Sequence, residues 1–385
     1  MSLKIEQERM ASQEIAEVAL KVEPFDAYVH VAYGYDSVKW QKNWREGKVL
    51  GLNEEFPYGY HRAAEYGASV VYSTDHAEGR LQKLLRYGIR GLLGFDFVHA
   101  WRNRKDVLRA DVIWTHTESQ SLAILALLAI ITPKTRPRLI GQVVWLIDEW
   151  PRLSVFRKAL YRWLLKDADI LTFHSPLNVD AAKALFPGTR IEFVKFGINT
   201  DYPTLPRPDS PGEKIRVLSV GNDRHRDWAT LINAAKGADD IEFRLLTTTY
   251  KLRGEHDNVA VIRVNSNEEL FAQFEWADML VLPLKPNLHA SGITVIEEAT
   301  ILGVPVIATN AGGLDAYFRE GEVHYIGPSD QVAMRNAIRR LAANPLLCRS
   351  LVANAKRRMK DAAISSRDYA KHHVELSMEL LSAVN

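Results

Sequence analysis

The chain has little of what stabilises secreted proteins or anchors membrane proteins. Only one of its 385 residues, Cys348, is a cysteine, so no disulfide can form within the chain, and a reducing compartment is expected. No apolar run reaches the roughly 18 residues of a membrane-spanning helix. The longest apolar run, residues 122–132, predicts a buried helix instead. The N-terminal stretch is charged and lacks the apolar core of a signal peptide, so we expect a cytoplasmic protein.

The chain also lacks a strong excess of charge and an evident metal motif. Its formal net charge is +2, which gives no reason to expect nucleic acid as a partner. No histidine, cysteine and carboxylate group stands at the spacing of metal ligands. Asp167 and Asp169 imitate a metal-binding Asp-X-Asp, but they border a buried strand, where a turn or cap is expected. We therefore predict no metal ion and no cofactor.

Strand-like and helix-like segments alternate along almost the whole chain, which predicts an α/β protein with mostly parallel sheets. The length predicts two domains. Residues 200–214 contain four prolines, and proline interrupts both strands and helices. We expect an N-terminal domain over residues 1–203, a C-terminal domain over 204–364, and a final helix, 365–385, that packs back on the first domain. The predicted strands are 27–32, 69–72, 112–114, 139–146, 170–173, 191–195, 216–220, 242–246, 259–263, 279–284, 304–308 and 324–325.

The segment 283–315 carries the most functional information. Its pattern predicts a strand, a short loop, a helix capped by Ser291, a second strand and a glycine turn. A helix N-terminus that faces the end of a strand offers free amides and a positive dipole to an anion. On these residues alone, a nucleotide site and an ordinary βαβ unit both remain open.

The order of residues in EEATILGVPVIATNAGGLDAYF resembles the donor-site signature of retaining, GT-B-fold glycosyltransferases of family 4. That signature has two acids separated by seven residues, a Gly-Val-Pro strand entry and a Gly-Gly turn. Glu298 matches the second acid, whereas Ala290 stands at the position of the first. The resemblance extends from about residue 110 to the closing helices. It implies a GT-B fold, in which two Rossmann-like domains face a central cleft.

The loop that follows the strand 216–220 is a candidate for binding the donor diphosphate. Arginines clamp phosphates through charge-assisted, often bidentate bonds, and this loop carries Arg224 and Arg226 after Gly221. The alternative is a solvated loop in which the arginines pair with acidic neighbours, Asp223 and Asp227. The resemblance places Arg226 on the family's phosphate-binding lysine and Asn222 on its arginine.

The helix of the 283–315 segment supplies the remaining donor-binding candidates. Glu298 shares a helical face with Val295 and Leu302, so we expect its carboxylate to point inward and bind the ribose, and Glu297 to lie on the surface. Because Ala290 has no polar side chain, other groups must hold the sugar hydroxyls. The candidates are the side chain of His289 and the amides of Ser291, Gly292 and Ile293.

Two polar residues follow strands of the N-terminal half. His116 comes directly after the strand 112–114, and Asp148 follows the strand 139–146. An isolated histidine in this position is most often structural. The resemblance places His116 next to the sugar or acceptor and also matches Asp148, so either group is a candidate to orient or deprotonate an acceptor hydroxyl. Arg226 and the helix dipole would stabilise the departing diphosphate.

Two basic, aromatic segments, 80–105 and 152–166, indicate contact with an anionic membrane surface. The alternative is an ordinary helix face that packs inward. The residues predicted to contact the membrane are Arg80, Lys83, Arg86, Arg90, Trp101 and Arg102.

The sequence therefore predicts a retaining, metal-independent hexosyltransferase-type enzyme. We expect a UDP- or GDP-sugar as donor, a glycan or lipid-linked hydroxyl as acceptor, and a peripheral position on the inner face of the plasma membrane. The expected role is polysaccharide or glycolipid biosynthesis. Two alternatives remain: a GT-B nucleotide-sugar epimerase, and a degenerate, non-catalytic protein that binds a nucleotide sugar or a membrane.

Overall fold

The computed structural model describes residues 24–206, 212–254 and 256–383. Two predictions concern residues outside these ranges: that the N-terminus lacks a signal peptide, and that the proline-rich linker is centred near residue 207. The chain folds into two six-stranded parallel sheets with helices on their faces. This architecture confirms the predicted α/β class.

The first sheet has the strand order β2-β1-β3-β4-β5-β6, and all its neighbouring strands are parallel. Its central strands are continuous apolar runs because helices cover both faces. The strands are β1 Phe25–His30, β2 Ala68–Tyr72, β3 Val112–Thr115, β4 Arg138–Val143, β5 Ile170–Phe173 and β6 Ile191–Phe193. The helices are α1 Ser37–Arg45, α2 Arg80–Leu93, α3 Phe97–Arg102, α4 Arg104–Val107, α5 Glu118–Ile131, α6 Leu146–Glu149, α7 Val155–Leu165 and α8 Pro176–Leu185.

The second sheet has the strand order β12-β11-β10-β7-β8-β9, which is the doubly wound order of dinucleotide-binding folds. The order reverses between β7 and β10, so the loops after these two strands diverge to opposite faces and leave a crevice. The strands are β7 Ile215–Val220, β8 Ile241–Leu246, β9 Val259–Ile262, β10 Met279–Leu282, β11 Val306–Thr309 and β12 His324–Ile326. The helices are α9 Trp228–Ala235, α10 Asn267–Trp276, α11 Ile293–Leu302, α12 Gln331–Ala342, α13 Pro345–Asp361 and α14 Ser366–Ser382.

All twelve predicted strands are present, and the largest error concerns the end of β4. We predicted strand to residue 146, but β4 ends at Val143 and the helical turn α6 follows. The Glu118 carboxylate accepts the amides of Val144 and Trp145 at 3.0 and 3.3 Å, which removes them from the sheet ladder. Asp148 therefore lies on a helical turn instead of at a strand end.

Helix α14 lies against the first sheet, although it follows the second sheet in the chain. The Trp114 indole donates a hydrogen bond to the Ser377 hydroxyl at 2.9 Å, and the hydroxyls of Tyr60 and Tyr369 lie 2.8 Å apart. These polar atoms are buried and satisfy each other within the contact. The domain boundaries at residues 203 and 364 remain a prediction.

The predicted buried helix within residues 122–132 is part of α5, which buries six of its ten apolar side chains and leaves Ile130 exposed. Within the described residues, no helix combines the length and the hydropathy needed to cross a bilayer.

Candidate functional site

The loops after β7 and β10 meet at the point where the strand order reverses. The Asp227 amide donates to the Pro283 carbonyl at 2.9 Å, and the Lys285 amide donates to the His225 carbonyl at 2.8 Å. These two bonds fix the loops to each other at the carboxyl ends of the strands. Ligands of such sheets bind at this edge.

Arg226 lies at the centre of this junction and is almost fully buried. Its Nε donates to the Val220 carbonyl at 3.0 Å, and its terminal nitrogen donates to the Ser291 hydroxyl at 2.9 Å. Gly221 makes room for it, since a Cβ at that position would lie 2.2 Å from Nε. Burial lowers the pKa of Arg226 to about 10, although the nearby Asp223 carboxylate raises it. The guanidinium is therefore a fixed positive charge at neutral pH.

The start of α11 differs from the prediction, because Ser291 does not cap the helix. The helix begins at Ile293, and Gly292, with φ +83°, is the residue before it. The Ser291 amide donates to Asn287 Oδ1 and the Ile293 amide donates to the Ala290 carbonyl, both at 3.2 Å. Two of the three amides predicted to face the donor sugar thus have acceptors within the protein.

The two other predicted residues of the β7 loop have clear partners. Asn222 Oδ1 accepts the Thr248 amide at 2.7 Å and so holds the loop after β8. Arg224 forms an ion pair with Glu149 of the first half. The alternative pairing of the arginines with Asp227 is wrong, because Asp227 caps α9 and accepts the amide of Thr230.

His289 is clamped between a carboxylate from each half of the chain. Its Nδ1 lies 2.7 Å from Asp148 Oδ2, and its Nε2 lies 2.9 Å from Asp223 Oδ2. The Leu288 amide also donates to Asp148 at 3.0 Å. Burial lowers the pKa of His289, but the bonds to Asp148 and Asp223 outweigh it, so the pKa lies above its ordinary value. This clamp joins the two halves across the cleft.

The acidic pair of α11 corrects one prediction. Glu297 was expected on the surface, but it is fully buried. Its carboxyl oxygens make no well-formed hydrogen bond with any described residue, although a weak backbone contact from Ile198 lowers its pKa. Burial, and then the neighbouring Glu298, raise its pKa well above the ordinary value. The prediction failed because eight of the ten residues of α11 are buried, so this helix has almost no solvent face.

Glu298 points into the space between the halves, as the helical pattern predicted. Its Oε1 accepts the Leu52 amide at 3.2 Å and lies so close to Gly51 that a Cβ there would be 2.2 Å away. Burial raises the pKa of Glu298 to about 7, although the bond from Leu52 lowers it. In this structure the carboxylate predicted to bind ribose is thus in contact with the N-terminal half.

A cavity of about 220 Å³ brings Glu298 and His116 together. The His116 ring stacks on Tyr58, with ring centroids 3.3 Å apart, and its Nδ1 lies 3.3 Å from the Tyr60 hydroxyl. Burial, and then two neighbouring histidines, lower the pKa of His116 well below its ordinary value, which favours the neutral imidazole. Asp148, the other candidate to orient or deprotonate the acceptor, lies in the His289 clamp and does not line this cavity.

The sequence missed several groups at the cleft. Asp223, His225 and His289 each offer a ligand atom, and these atoms lie within 4.8 Å of one another. No sequence motif indicates this group, because His289 is distant from the other two residues in the chain. By contrast, Asp169 is structural, as predicted, since it accepts the Leu139 amide at 2.8 Å.

A second feature that the sequence analysis missed is Asn267, which bonds to the backbone of segment 47–51 of the first half.

The predicted membrane-contacting residues divide into two groups. Arg86 is only 2% exposed, and it pairs with Glu78 at 2.8 Å and Asp96 at 2.6 Å. Arg102 also pairs with Glu78 at 2.8 Å. The prediction of a surface position is wrong for Arg86, because its guanidinium group is buried in ion pairs with Glu78 and Asp96. Arg80, Lys83, Arg90 and Trp101 are exposed.

Large apolar side chains accompany these exposed residues. On α2, Leu81 is 83% exposed and Leu84 is 70% exposed, and on α7, Val155 is 84% exposed. The two helices are neighbours, since Tyr161 of α7 donates to the carbonyl of Leu93 at 2.9 Å. The alternative of inward packing is wrong for these leucines. We call α2, α7 and Trp101 of α3 the exposed face.

Residues 210–358 match the family model of glycosyl transferases group 1. A sucrose-phosphate synthase from Thermosynechococcus elongatus is 18% identical, with 93% of this chain and 100% of that chain covered and a TM-score of 0.69. HepE of Anabaena, in complex with UDP-glucose, is 14% identical, with 93% and 99% covered and a TM-score of 0.61. A glycosyltransferase from Rickettsia africae is 14% identical, with 94% and 99% covered and a TM-score of 0.62.

The chain has the GT-B fold. An uncharacterised 41.2 kDa protein in the cps region of Klebsiella pneumoniae is 31% identical over 120 residues. That match covers 28% of this chain and 31% of the relative's length. The similarity to the solved structures confirms the GT-B fold that the resemblance implied.

Proposed function

We propose that this protein is a retaining glycosyltransferase of family 4 that transfers a sugar from a nucleoside diphosphate to an acceptor hydroxyl. The group 1 match over residues 210–358 and the GT-B fold support sugar transfer. The observation that carries the proposal is Arg226, a buried cation fixed where the strand order reverses and bonded to Ser291 just before α11. A diphosphate is the chemical group that such a junction fits best.

The donor would lie across the crevice of the second sheet. Arg226 would bind the diphosphate, and Arg224 would add a second charge when it exchanges Glu149 for a phosphate. Glu298 would accept hydrogen bonds from the ribose in place of the Leu52 amide. The neighbouring HepE structure contains UDP-glucose, which supports a UDP-sugar as the first donor to test.

Transfer would proceed on the face of the sugar that carries the leaving group. The bond from the anomeric carbon to the phosphate oxygen breaks, the bond to the acceptor oxygen forms, and the departing phosphate takes the acceptor proton. Arg226 stabilises the charge that develops on this phosphate, so the chemistry needs no metal ion. His116, held neutral by burial and fixed by Tyr58, would orient the acceptor hydroxyl.

The acceptor would be a glycan or lipid-linked sugar at the inner face of the plasma membrane. The exposed face of α2 and α7 combines leucines with Arg80, Lys83 and Arg90, which suits an anionic bilayer surface. The role proposed for this transfer is cell-surface polysaccharide or glycolipid synthesis.

The donor site is tested by thermal unfolding with UDP, GDP, ADP, CMP and their common sugars. We expect stabilisation by one nucleotide family, and loss of both stabilisation and transfer in Arg226→Ala, with turnover reduced about 10²- to 10³-fold. Arg339→Ala is the matched control, because its exposed pair with Asp240 should contribute little.

The binding and transfer assays together distinguish the alternative functions. Release of an altered free sugar without any acceptor would identify an epimerase. Nucleotide binding with neither hydrolysis nor transfer would identify a non-catalytic protein. Stabilisation by none of the nucleotides would reject the donor site itself.

A further inference from the structure

A cluster of three ligand-bearing side chains lies in the cleft beside the proposed donor site. Asp223 and His225 come from the loop after β7, and His289 comes from the loop after β10. His225 Nδ1 lies 3.1 Å from Asp223 Oδ1, and His289 Nε2 lies 2.9 Å from Asp223 Oδ2. We propose that these three residues bind a divalent transition-metal ion, for which Zn²⁺ is the probe.

The spacing of the cluster suits coordination. Zinc bonds to imidazole nitrogen and carboxylate oxygen are about 2.0–2.2 Å long, so neighbouring ligand atoms around one ion lie roughly 3 Å apart. The two imidazole nitrogens lie 3.1 and 2.9 Å from different oxygens of Asp223. One ligand atom from each of the three residues lies within 4.8 Å of the other two, so small side-chain shifts would bring them around one ion. Two imidazoles and one carboxylate favour zinc and its transition-metal neighbours, whereas magnesium and calcium prefer oxygen ligands throughout.

Asp148 supplies the support that a metal-binding histidine needs. It contacts His289 Nδ1 at 2.7 Å and also accepts the Leu288 amide at 3.0 Å. A carboxylate on the second ring nitrogen fixes the orientation of the imidazole and raises its basicity as a ligand. Here the bond between Asp148 and Nδ1 directs the Nε2 atom of His289 at Asp223. Since Asp148 belongs to the first half of the chain, the complete arrangement exists only while the halves are together.

The cluster is open to solvent on one side. His289 is buried, but the Asp223 side chain is 20% exposed and lines a depression of about 490 Å³ between the halves. An ion can therefore enter through this depression, replace the hydrogen bonds of Asp223 to the two imidazoles, and keep water at its remaining positions. The cluster excludes Arg226 and Glu298, so the inference does not depend on the proposed donor site. The ion would join the two halves and leave the donor phosphates to Arg226.

The site is tested on the untagged full chain after removal of metals with a chelator. Isothermal titration with ZnCl₂ should show one bound ion per chain, and MgCl₂ should show none. Asp223→Asn and His225→Ala should each weaken zinc binding at least tenfold. Asp148→Asn, which removes no direct ligand, should weaken it about 10- to 100-fold. His324→Ala is the control, because it removes the histidine of a His324–Glu320 pair outside the cluster.

Several results would overturn the inference. These are an absence of zinc binding to the wild-type chain, unchanged affinity in both Asp223→Asn and His225→Ala, or equal loss in His324→Ala. Full affinity in Asp148→Asn would reject the supporting role of that carboxylate. Far-UV circular dichroism of the metal-free variants separates lost binding from lost folding. If a variant does not fold, the visible spectrum of the wild-type chain with Co²⁺ decides, since bands of a nitrogen-containing site are expected.

Discussion

Replacing Glu297 should stabilise the protein, and the effect should depend on pH. The carboxyl group is fully buried and makes no well-formed hydrogen bond with any described residue. A weak backbone contact from Ile198 opposes only part of the effect of burial on its pKa. Burying a polar group without a partner costs roughly 1–3 kcal/mol even when it is neutral. The native pKa is raised well above 4.5, so from pH 4.5 upward the unfolded chain loses this proton while the native chain keeps it.

The sign and size of the pH term follow from this difference in bound protons. Because the native state binds more protons, each rising pH unit removes about 1.4 kcal/mol of stability until the native pKa is reached. At pH 7 the loss approaches about 3 kcal/mol if the native group is still protonated. Glu297→Gln removes the titration alone, so it should match the wild type at pH 4.5 and exceed it at pH 7. Glu297→Leu also removes the unpaired polar atoms and should be more stable at both values.

Urea unfolding, followed by tryptophan fluorescence and far-UV circular dichroism at pH 4.5 and pH 7, measures both differences. Glu275→Gln is the control, since that side chain is exposed on helix α10. A Glu297→Gln protein that is less stable than the wild type at pH 7, or shifted equally at both pH values, would refute the reasoning. Such a result would mean that the carboxylate is ionised and partnered in the native protein.

Three further predictions concern the donor site and the exposed face. Gly221→Ala should abolish nucleotide stabilisation in thermal-shift assays, because the added Cβ would displace Arg226 and φ +147° costs a non-glycine residue about 1–3 kcal/mol. Unchanged stabilisation would contradict the placement of Arg226. Nucleotide affinity measured by titration calorimetry should fall about tenfold from pH 8 to pH 6 as Glu298, with a pKa of about 7, takes up a proton. Glu298→Gln should flatten that profile, and a steep profile in the variant would assign it to another group. Leu84→Glu should prevent flotation of the protein with vesicles of phosphatidylcholine and phosphatidylglycerol. Leu346→Glu is the control, because Leu346 on α13 is also 70% exposed, and it should leave flotation unchanged. Equal loss of flotation in both variants would reject a specific membrane face.

The strands could be predicted because a parallel sheet needs continuous apolar runs, and β5 was predicted with its observed limits. The positions of single charged side chains were less predictable. Arg86 looks like a surface cation in the sequence, but its partners Glu78 and Asp96 come from the loops before and after α2, and only the folded chain brings them to it. Similarly, Glu297 follows the polar pattern of a helix surface, while the packing around α11 leaves that surface inside the protein.

Contacts across the cleft were the least predictable, because they join residues far apart in the chain. The Asp148 and His289 side chains are separated by 141 positions, and the bond from Leu52 to Glu298 spans 246. Helical periodicity correctly directs Glu298 into the cleft, but no local pattern shows which backbone amide it meets there.

The return of α14 to the first sheet has a consequence for how the chain is made. The ribosome completes the first sheet long before it reaches Tyr369 and Ser377, whose side chains satisfy buried groups of Tyr60 and Trp114. Domains usually fold in order of synthesis, the N-terminal one first. Here the first half must wait with an uncovered apolar surface until the second half has been synthesised. We therefore expect the nascent first half to be exposed to aggregation, or to need a chaperone, during that interval.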